Sequence, residues 1–297
     1  MRQRSRYPLQ VLQDRLGQAN QALEVDPGWA AAWFALGEAR QRLGLLAAAR
    51  AAFAEALRLD AADHQGASLR LAAIDGRAVG ALPRAYVARL FDDYAPRFNA
   101  HLTGDLRYRG PAVLCDAVQR VAPGRRYERA LDVGCGSGLA GAVFRSLADH
   151  LSGVDLSPAM IEEARRAEWY DALSVEDAVD YLCAQPPGSL DLIFAADVFV
   201  YLGDLGPALA AIQRALASSG LIAFTVEAEP GQAFGLGEAL RFRHSEAYLA
   251  RALVEVGLRP LTLRAASTRR EAGGDVAGLV VVAGHASEQV GGVDGRR

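Results

Sequence analysis

An acidic residue followed by closely spaced glycines is the part of this sequence best suited to chemistry. The stretch reads Leu131-Asp132-Val133-Gly134-Cys135-Gly136-Ser137-Gly138-Leu139-Ala140-Gly141. Its apolar start is expected to be a buried strand, and the glycines a tight turn into a helix. Glycine accepts positive φ and lets a ligand approach the main chain without meeting a Cβ. A helix after the turn offers unpaired N–H groups and the positive end of its dipole. The expected chemistry is therefore capture of a nucleotide-like cofactor.

Register and charge decide between cofactors. Gly136-Ser137-Gly138-Leu139-Ala140-Gly141 is literally G-x-G-x-x-G, which suggests a dinucleotide. In that fingerprint the first glycine directly follows the strand, a place held here by Gly134. Counted from Gly134 the pattern is G-x-G-x-G with Leu139 in sixth position, so Gly141 completes the motif by coincidence. A carboxylate at Asp132 also suits a ligand carrying a sulfonium and an ammonium better than a pyrophosphate. The next apolar run ends in Val154-Asp155-Leu156-Ser157-Pro158. Asp155 there can accept two ribose hydroxyls. After a third run, Val175-Glu176-Asp177-Ala178 places an acid for an adenine amino group, and a neighbouring backbone N–H for a ring nitrogen.

Reacting groups in open α/β sheets lie beyond the carboxyl ends of the strands. That rule selects Asp197 and Tyr201 after the fourth strand, Glu227 after the fifth, and Arg241-Phe242-Arg243-His244-Ser245 before the next helix. His244 is the expected general base, because an unperturbed imidazole titrates near neutral pH. The plainer reading is an imidazole that packs or satisfies a loop carbonyl. Asp197 either orients a substrate or closes the loop after its strand. Ser245 is the expected N-cap of the following helix.

The elements that must position these residues alternate from Arg109 onward. Helices are expected at 111–121, 139–149 and from Pro158, and strands at 129–133, 151–155, 173–175, 190–196 and 221–226. Such alternation argues for a parallel sheet covered by helices on both faces. A helix at 245–256 then leads to apolar runs at 259–264 and 279–283. These have no helix between them, so they are expected to pair antiparallel.

Ahead of this core, 9–71 is helical and Ala-rich. Trp33-x-x-Leu36-Gly37, with Ala49, Phe53 and Ala56, fits the large and small positions of a tetratricopeptide repeat. The segment reads as half a repeat followed by a full one, or as a plain Ala-rich helical hairpin with no binding role. Between the two regions, Tyr86, Leu90, Phe91, Tyr94 and Phe98 form an aromatic and apolar stripe at helical spacing.

As a set, Asp132, Gly134, Gly136, Gly138, Asp155 and Asp177 resemble the motif series of class I S-adenosylmethionine-dependent methyltransferases. The resemblance covers about 86–283. With the repeats in front, the chain is similar to methyltransferases that carry tetratricopeptide repeats. It implies a Rossmann-like, mostly parallel seven-stranded sheet with an antiparallel last strand, and S-adenosyl-L-methionine as cofactor. It also implies contacts from Leu156 and Ala178. Phe91-Asp92-x-x-Ala95 resembles a lid over the cofactor, with Tyr86 and Tyr94 as its polar-tipped members. The expected domains are a helical segment at 1–80, a lid or linker at 81–110, the cofactor domain at 111–284 and a disordered tail at 285–297.

Composition narrows the rest. All 32 basic residues counted are arginine, so lysine Schiff-base chemistry is excluded in this chain. A net charge of −3 argues against a general nucleic-acid partner, and no Asn-Pro-Pro-Tyr or Asp-Pro-Pro-Tyr follows the fourth strand. Cys115, Cys135 and Cys183 have no metal-binding spacing. No apolar segment reads as a signal or membrane span, so a cytoplasmic, soluble protein is expected. Three functions follow. The first is methyl transfer to oxygen or nitrogen of a small molecule. The second is methylation of a protein or peptide docked on the repeats, which could equally hold a partner or a second copy. The third is an interaction protein with a catalytically idle cofactor domain.

Overall fold

The computed structural model describes residues 9–231, 233–237, 240–271 and 274–286. Residues 1–8, and the tail beyond Ala286, lie outside the described residues. Two compact units make up the chain, Met1–Leu90 and Phe91–Arg297. The segment 81–110 is therefore shared between them rather than standing apart. Among the described residues no helix is long and apolar enough to cross a membrane.

The first unit is helical: Leu9–Val25, Ala30–Arg42, Leu46–Leu59 and Ala67–Asp75, then the start of Arg84–Tyr94. Small residues set its packing. Ala49, Ala52, Phe53 and Ala56 are fully enclosed. A Cβ on Gly37 would lie 2.6 Å from the Phe53 ring, so only glycine lets these helices approach so closely.

The second unit is built on one sheet. Its strands are β1 (Tyr127–Val133), β2 (Ala148–Asp155), β3 (Ala172–Val175), β4 (Leu190–Ala195), β5 (Leu216–Ala228), β6 (Phe234–Leu236), β7 (Phe242–His244) and β8 (Leu258–Ala266). After a small arm of β9 (Arg270–Glu271) and β10 (Gly274–Asp275), the chain ends the sheet with β11 (Gly278–His285). The main order is β3-β2-β1-β4-β5-β11-β8. Strand β11 is antiparallel to β8, as expected from the missing crossover helix, and also to β5.

Alternation along the strands feeds two cores. Leu131, Val133, Ile193, Ala195, Ile222, Phe224 and Val281 face one side, where Leu209, Ile212, Leu249 and Leu253 cover them. Ala130, Leu192, Phe194, Ala223, Val280 and Val282 face the other, under Leu114, Val118 and Phe144. Each enclosed Leu or Phe contributes roughly 1.5–3 kcal/mol. Phe144 stacks on Phe194 with ring centroids 4.0 Å apart.

Three expectations change. Seven strands become nine, because the segment after β5 adds β7, parallel to the end of β5, and β6, antiparallel to β7. The helix expected at 139–149 stops at Phe144. There the Arg145 guanidinium takes the carbonyls of Ala148 and Asp149 at 2.8 and 2.9 Å, and β2 starts at Ala148. His285, assigned to the tail, is the last residue of β11.

Candidate active site

Parallel pairing gathers the acids. Val133 lies beside Val154 and Asp155 beside Val175, so Asp132 and Asp155 in the last residues of β1 and β2 and Asp177 just after β3 share the carboxyl ends of three neighbouring strands. Gly134, Gly136 and Gly138 have φ of 63°, 52° and 94°, the left-handed region that favours glycine. At Gly134 a Cβ would also lie 2.5 Å from Val198. At Gly136 it would meet only Phe98, at 3.8 Å. Gly136 itself is half-buried.

Asp155 holds the loop in shape. Its two oxygens accept the N–H groups of Gly136 and Ser157, each at 2.9 Å. A carboxylate oxygen has a second lone pair, so both remain able to accept a ligand hydroxyl. Burial raises its pKa, and the backbone N–H groups pull it back. Asp177 is the N-cap of helix Ala178–Ala184, accepting from the N–H groups of Val179 and Asp180 at 2.9 and 3.1 Å. Capping is thus its observed work. Leu156 and Ala178 directly follow these two acids, at the mouth of the same strand ends.

Asp132 is the most unusual group. Its side chain is buried, and burial pushes its pKa up to about 8. Oδ2 accepts the Tyr170 hydroxyl at 2.6 Å. Oδ1 is enclosed without a hydrogen-bond partner. A buried acceptor left unmatched costs about 1–3 kcal/mol, and a cationic ligand would satisfy it.

The segment after Phe91 reaches this loop. Asp92 accepts from the Ser157 hydroxyl at 2.5 Å and the Ala159 N–H at 3.2 Å. Asn99 accepts from the Ser137 hydroxyl, and Phe98 lies over Gly136. Of the two tyrosines expected to meet the cofactor, Tyr94 instead pairs its hydroxyl with His101 Nδ1 and sets its ring edge-on to Phe98, 5.1 Å between centroids. Tyr86 belongs to the first unit, where its ring covers Gly66. Phe98, an apolar member of the same stripe, is the side chain placed on the glycine loop.

Beyond β4 and β5 lies a charged cluster. Asp197, at φ 58°, accepts from Thr225 and Thr268 hydroxyls at 2.8 Å and pairs with Arg269 at 3.1 Å. Arg269 also pairs with Glu227, and Arg241 joins Glu227 to Glu271 at 2.7 Å each. Tyr201 stands beside both arginines, its phenol pushed up to about 12 chiefly by burial. The sequence rule found Asp197, Tyr201, Glu227 and Arg241. It missed Thr268 and Arg269, which arrive from the connection after β8.

His244 departs from its expected role. The ring is fully enclosed, stacked on Tyr248 at 5.7 Å and near Phe234. Nε2 donates to the Gly203 carbonyl at 3.0 Å, and Nδ1 has no partner. Burial lowers its pKa to about 4. An imidazole closed off in this way packs the loops and is out of reach of a substrate proton. Ser245 does cap the following helix, as expected. A folded pKa below the unfolded value near 6.5 gives stability that is present above pH 6.5. That contribution, on the order of 3 kcal/mol, is lost as pH falls from about 6.5 to about 4. His244→Phe should remove this acid limb in urea midpoints followed from pH 7 to 4. An unchanged difference between the two proteins across that range would show the ring to be solvated.

Comparison with known proteins agrees with this geometry. Residues 131–222 match a family model described as a methyltransferase domain. A malonyl-(acyl-carrier protein) O-methyltransferase from Enterobacter lignolyticus is 32% identical over 142 residues, covering 47% of this chain and 52% of that protein. Human methyltransferase-like protein 27 is 31% identical over 135 residues, 44% of this chain and 55% of the relative. The chain thus spans about half the length of these curated relatives. Burkholderia thailandensis 1,6-didemethyltoxoflavin-N1-methyltransferase, solved with S-adenosylhomocysteine, superposes with a TM-score of 0.53. It is 21% identical and covers 71% of this chain and 93% of its own. The second unit therefore has the Rossmann-like methyltransferase fold. The stretch that matches a methyltransferase domain, 131–222, holds the glycine loop together with Asp132, Asp155 and Asp177.

Proposed function

We propose that this chain transfers a methyl group from S-adenosylmethionine to an oxygen or nitrogen of a small molecule. The observation that carries the reading is Asp132: a buried carboxyl at a strand end, beside an open glycine loop, with one oxygen unmatched. An ammonium or sulfonium satisfies that oxygen as the carboxyl gives up its proton, whereas the carboxylate would repel a dinucleotide pyrophosphate. Asp155 would receive the ribose hydroxyls, and Asp177 with the Ala178 N–H the adenine edge. When bound, the cofactor supplies a methyl carbon already activated by positive sulfur. The protein's task is then alignment more than acid or base work.

The acceptor side is the cluster beyond β4 and β5. Tyr201 supplies a phenol that keeps its proton and can donate a hydrogen bond. Asp197, held by Thr225, Thr268 and Arg269, shapes the loop and positions rather than removes a proton. Relatives named for methyl transfer to oxygen and to nitrogen support the choice of acceptor atom. We read the helical first unit as tetratricopeptide-like, on the close Gly37–Phe53 approach and the buried Ala49 and Ala56.

The test uses the full chain with methyl-labelled S-adenosylmethionine, a metabolite extract and a protein extract. Label is expected in the small-molecule fraction, together with calorimetric binding of S-adenosylhomocysteine. Label confined to protein would overturn the substrate class. Tight NAD binding with no S-adenosylhomocysteine binding would overturn the enzyme reading.

A further inference from the structure

Tyr170 lies in the short connection between helix Pro158–Ala167 and β3. Three glycines make room for its ring. A Cβ on Gly141, Gly153 or Gly138 would lie 2.5, 3.1 or 3.3 Å from it. Gly141 is therefore no coincidence of the motif, since its bare Cα admits the ring. The phenol oxygen accepts the Gly141 N–H at 3.1 Å, an early helical N–H of the kind that has no partner within its own helix. A backbone N–H can only donate, so the single phenol proton goes to Asp132 Oδ2, 2.6 Å away. One hydroxyl thus joins the end of β1 to the start of the helix on the far side of the glycine loop.

This arrangement divides the work of the Asp132 carboxyl. Oδ2 is committed as an acceptor. Any proton the group carries must sit on Oδ1, the enclosed atom without a partner. We propose that Tyr170 is a positioning residue for the cofactor, fixing Asp132 so that Oδ1 is the atom offered to the ligand's positive group. The inference rests on the cofactor reading above and adds to it the residue that orients the acid.

A pH signature follows. The groups facing Asp132 are the Tyr170 hydroxyl, Asp155 at the end of β2, the Cys135 thiol in the loop and the Tyr108 phenol. All are acidic or uncharged. Ligand-free Asp132 therefore holds its proton at neutral pH, and a cationic ligand must displace it. The Tyr170 hydrogen bond works the other way, favouring the charged carboxylate.

Calorimetric titration of S-adenosylhomocysteine between pH 6 and 8.5 tests this on full-length protein. Wild-type affinity should rise with pH, by up to about tenfold per unit, and level off near pH 8. Tyr170→Phe keeps the ring among the glycines but loses the hydroxyl. Its profile should shift to higher pH, with affinity at pH 7 lower by about tenfold, the equivalent of one pKa unit. An unshifted profile, or a uniform loss at every pH, overturns the positioning role while leaving the cofactor reading intact. Wild-type protein that binds no S-adenosylhomocysteine overturns both. Should Tyr170→Phe fail to fold, 3-fluorotyrosine at position 170 offers a near-isosteric, stronger donor. It is expected to move the profile to lower pH, and no movement overturns the inference.

Discussion

Gly136→Arg is expected to lower S-adenosylhomocysteine affinity by at least roughly a hundredfold, about 2.7 kcal/mol, while the protein stays folded. The two halves of that expectation have separate causes. A side chain at φ 52° adopts the left-handed region, at a cost of roughly 1–2 kcal/mol. The nearest atom to a Cβ there is Phe98, at 3.8 Å, so no core packing is broken and the N–H can still reach Asp155. What the arginine does fill is the accessible side of the loop, where the ligand must lie. Gly134→Ala is the control with the opposite character. Its Cβ would lie 2.5 Å from Val198, so stability should suffer along with binding. Calorimetry with thermal melts separates the two. Gly136→Arg protein that binds within threefold of wild type would place the cofactor elsewhere.

That contrast shows what the sequence could reveal. Asp132, the glycines and Asp155 were legible because strand, turn and acid are local in the chain, and parallel pairing then assembles them without further information. Side chains arriving from afar were not. Tyr170 reaches Asp132 across 38 residues, Asn99 reaches Ser137 across 38, and Arg269 reaches Asp197 across 72. Nothing in their immediate neighbours marks them. Residue type misled at His244, where the pKa is set by burial and by Gly203, 41 residues away, rather than by imidazole chemistry. Strands β6 and β7 escaped for another reason: three residues carry too few positions for a period to register.

Arg269→Met is expected to cost about 3–5 kcal/mol of stability, the usual result of removing one partner from a buried ion pair. The guanidinium is 7% exposed, and its partners Asp197 and Glu227 are 15% and 12% exposed, so water cannot take over. The two carboxylates should not suffer equally. Glu227 keeps Arg241 at 2.7 Å. Asp197 keeps only the Thr225 and Thr268 hydroxyls, and among the described ion pairs Arg269 is its cation. The unpaired charge is thus Asp197, and Arg269→Met combined with Asp197→Asn should recover part of the loss. Arg269→Lys should fall between wild type and Arg269→Met, because one ammonium cannot fork to both acids as a guanidinium does. The cluster lies beyond β4 and β5, whereas the glycine loop and its acids follow β1 to β3. Affinity for S-adenosylhomocysteine should therefore change less than methyl transfer does. Urea unfolding gives the stability series, and calorimetry the affinity. A loss below about 1 kcal/mol for Arg269→Met, the range of exposed pairs, would mean that solvent screens the cluster, and Asp197 would then have no need of its clamp.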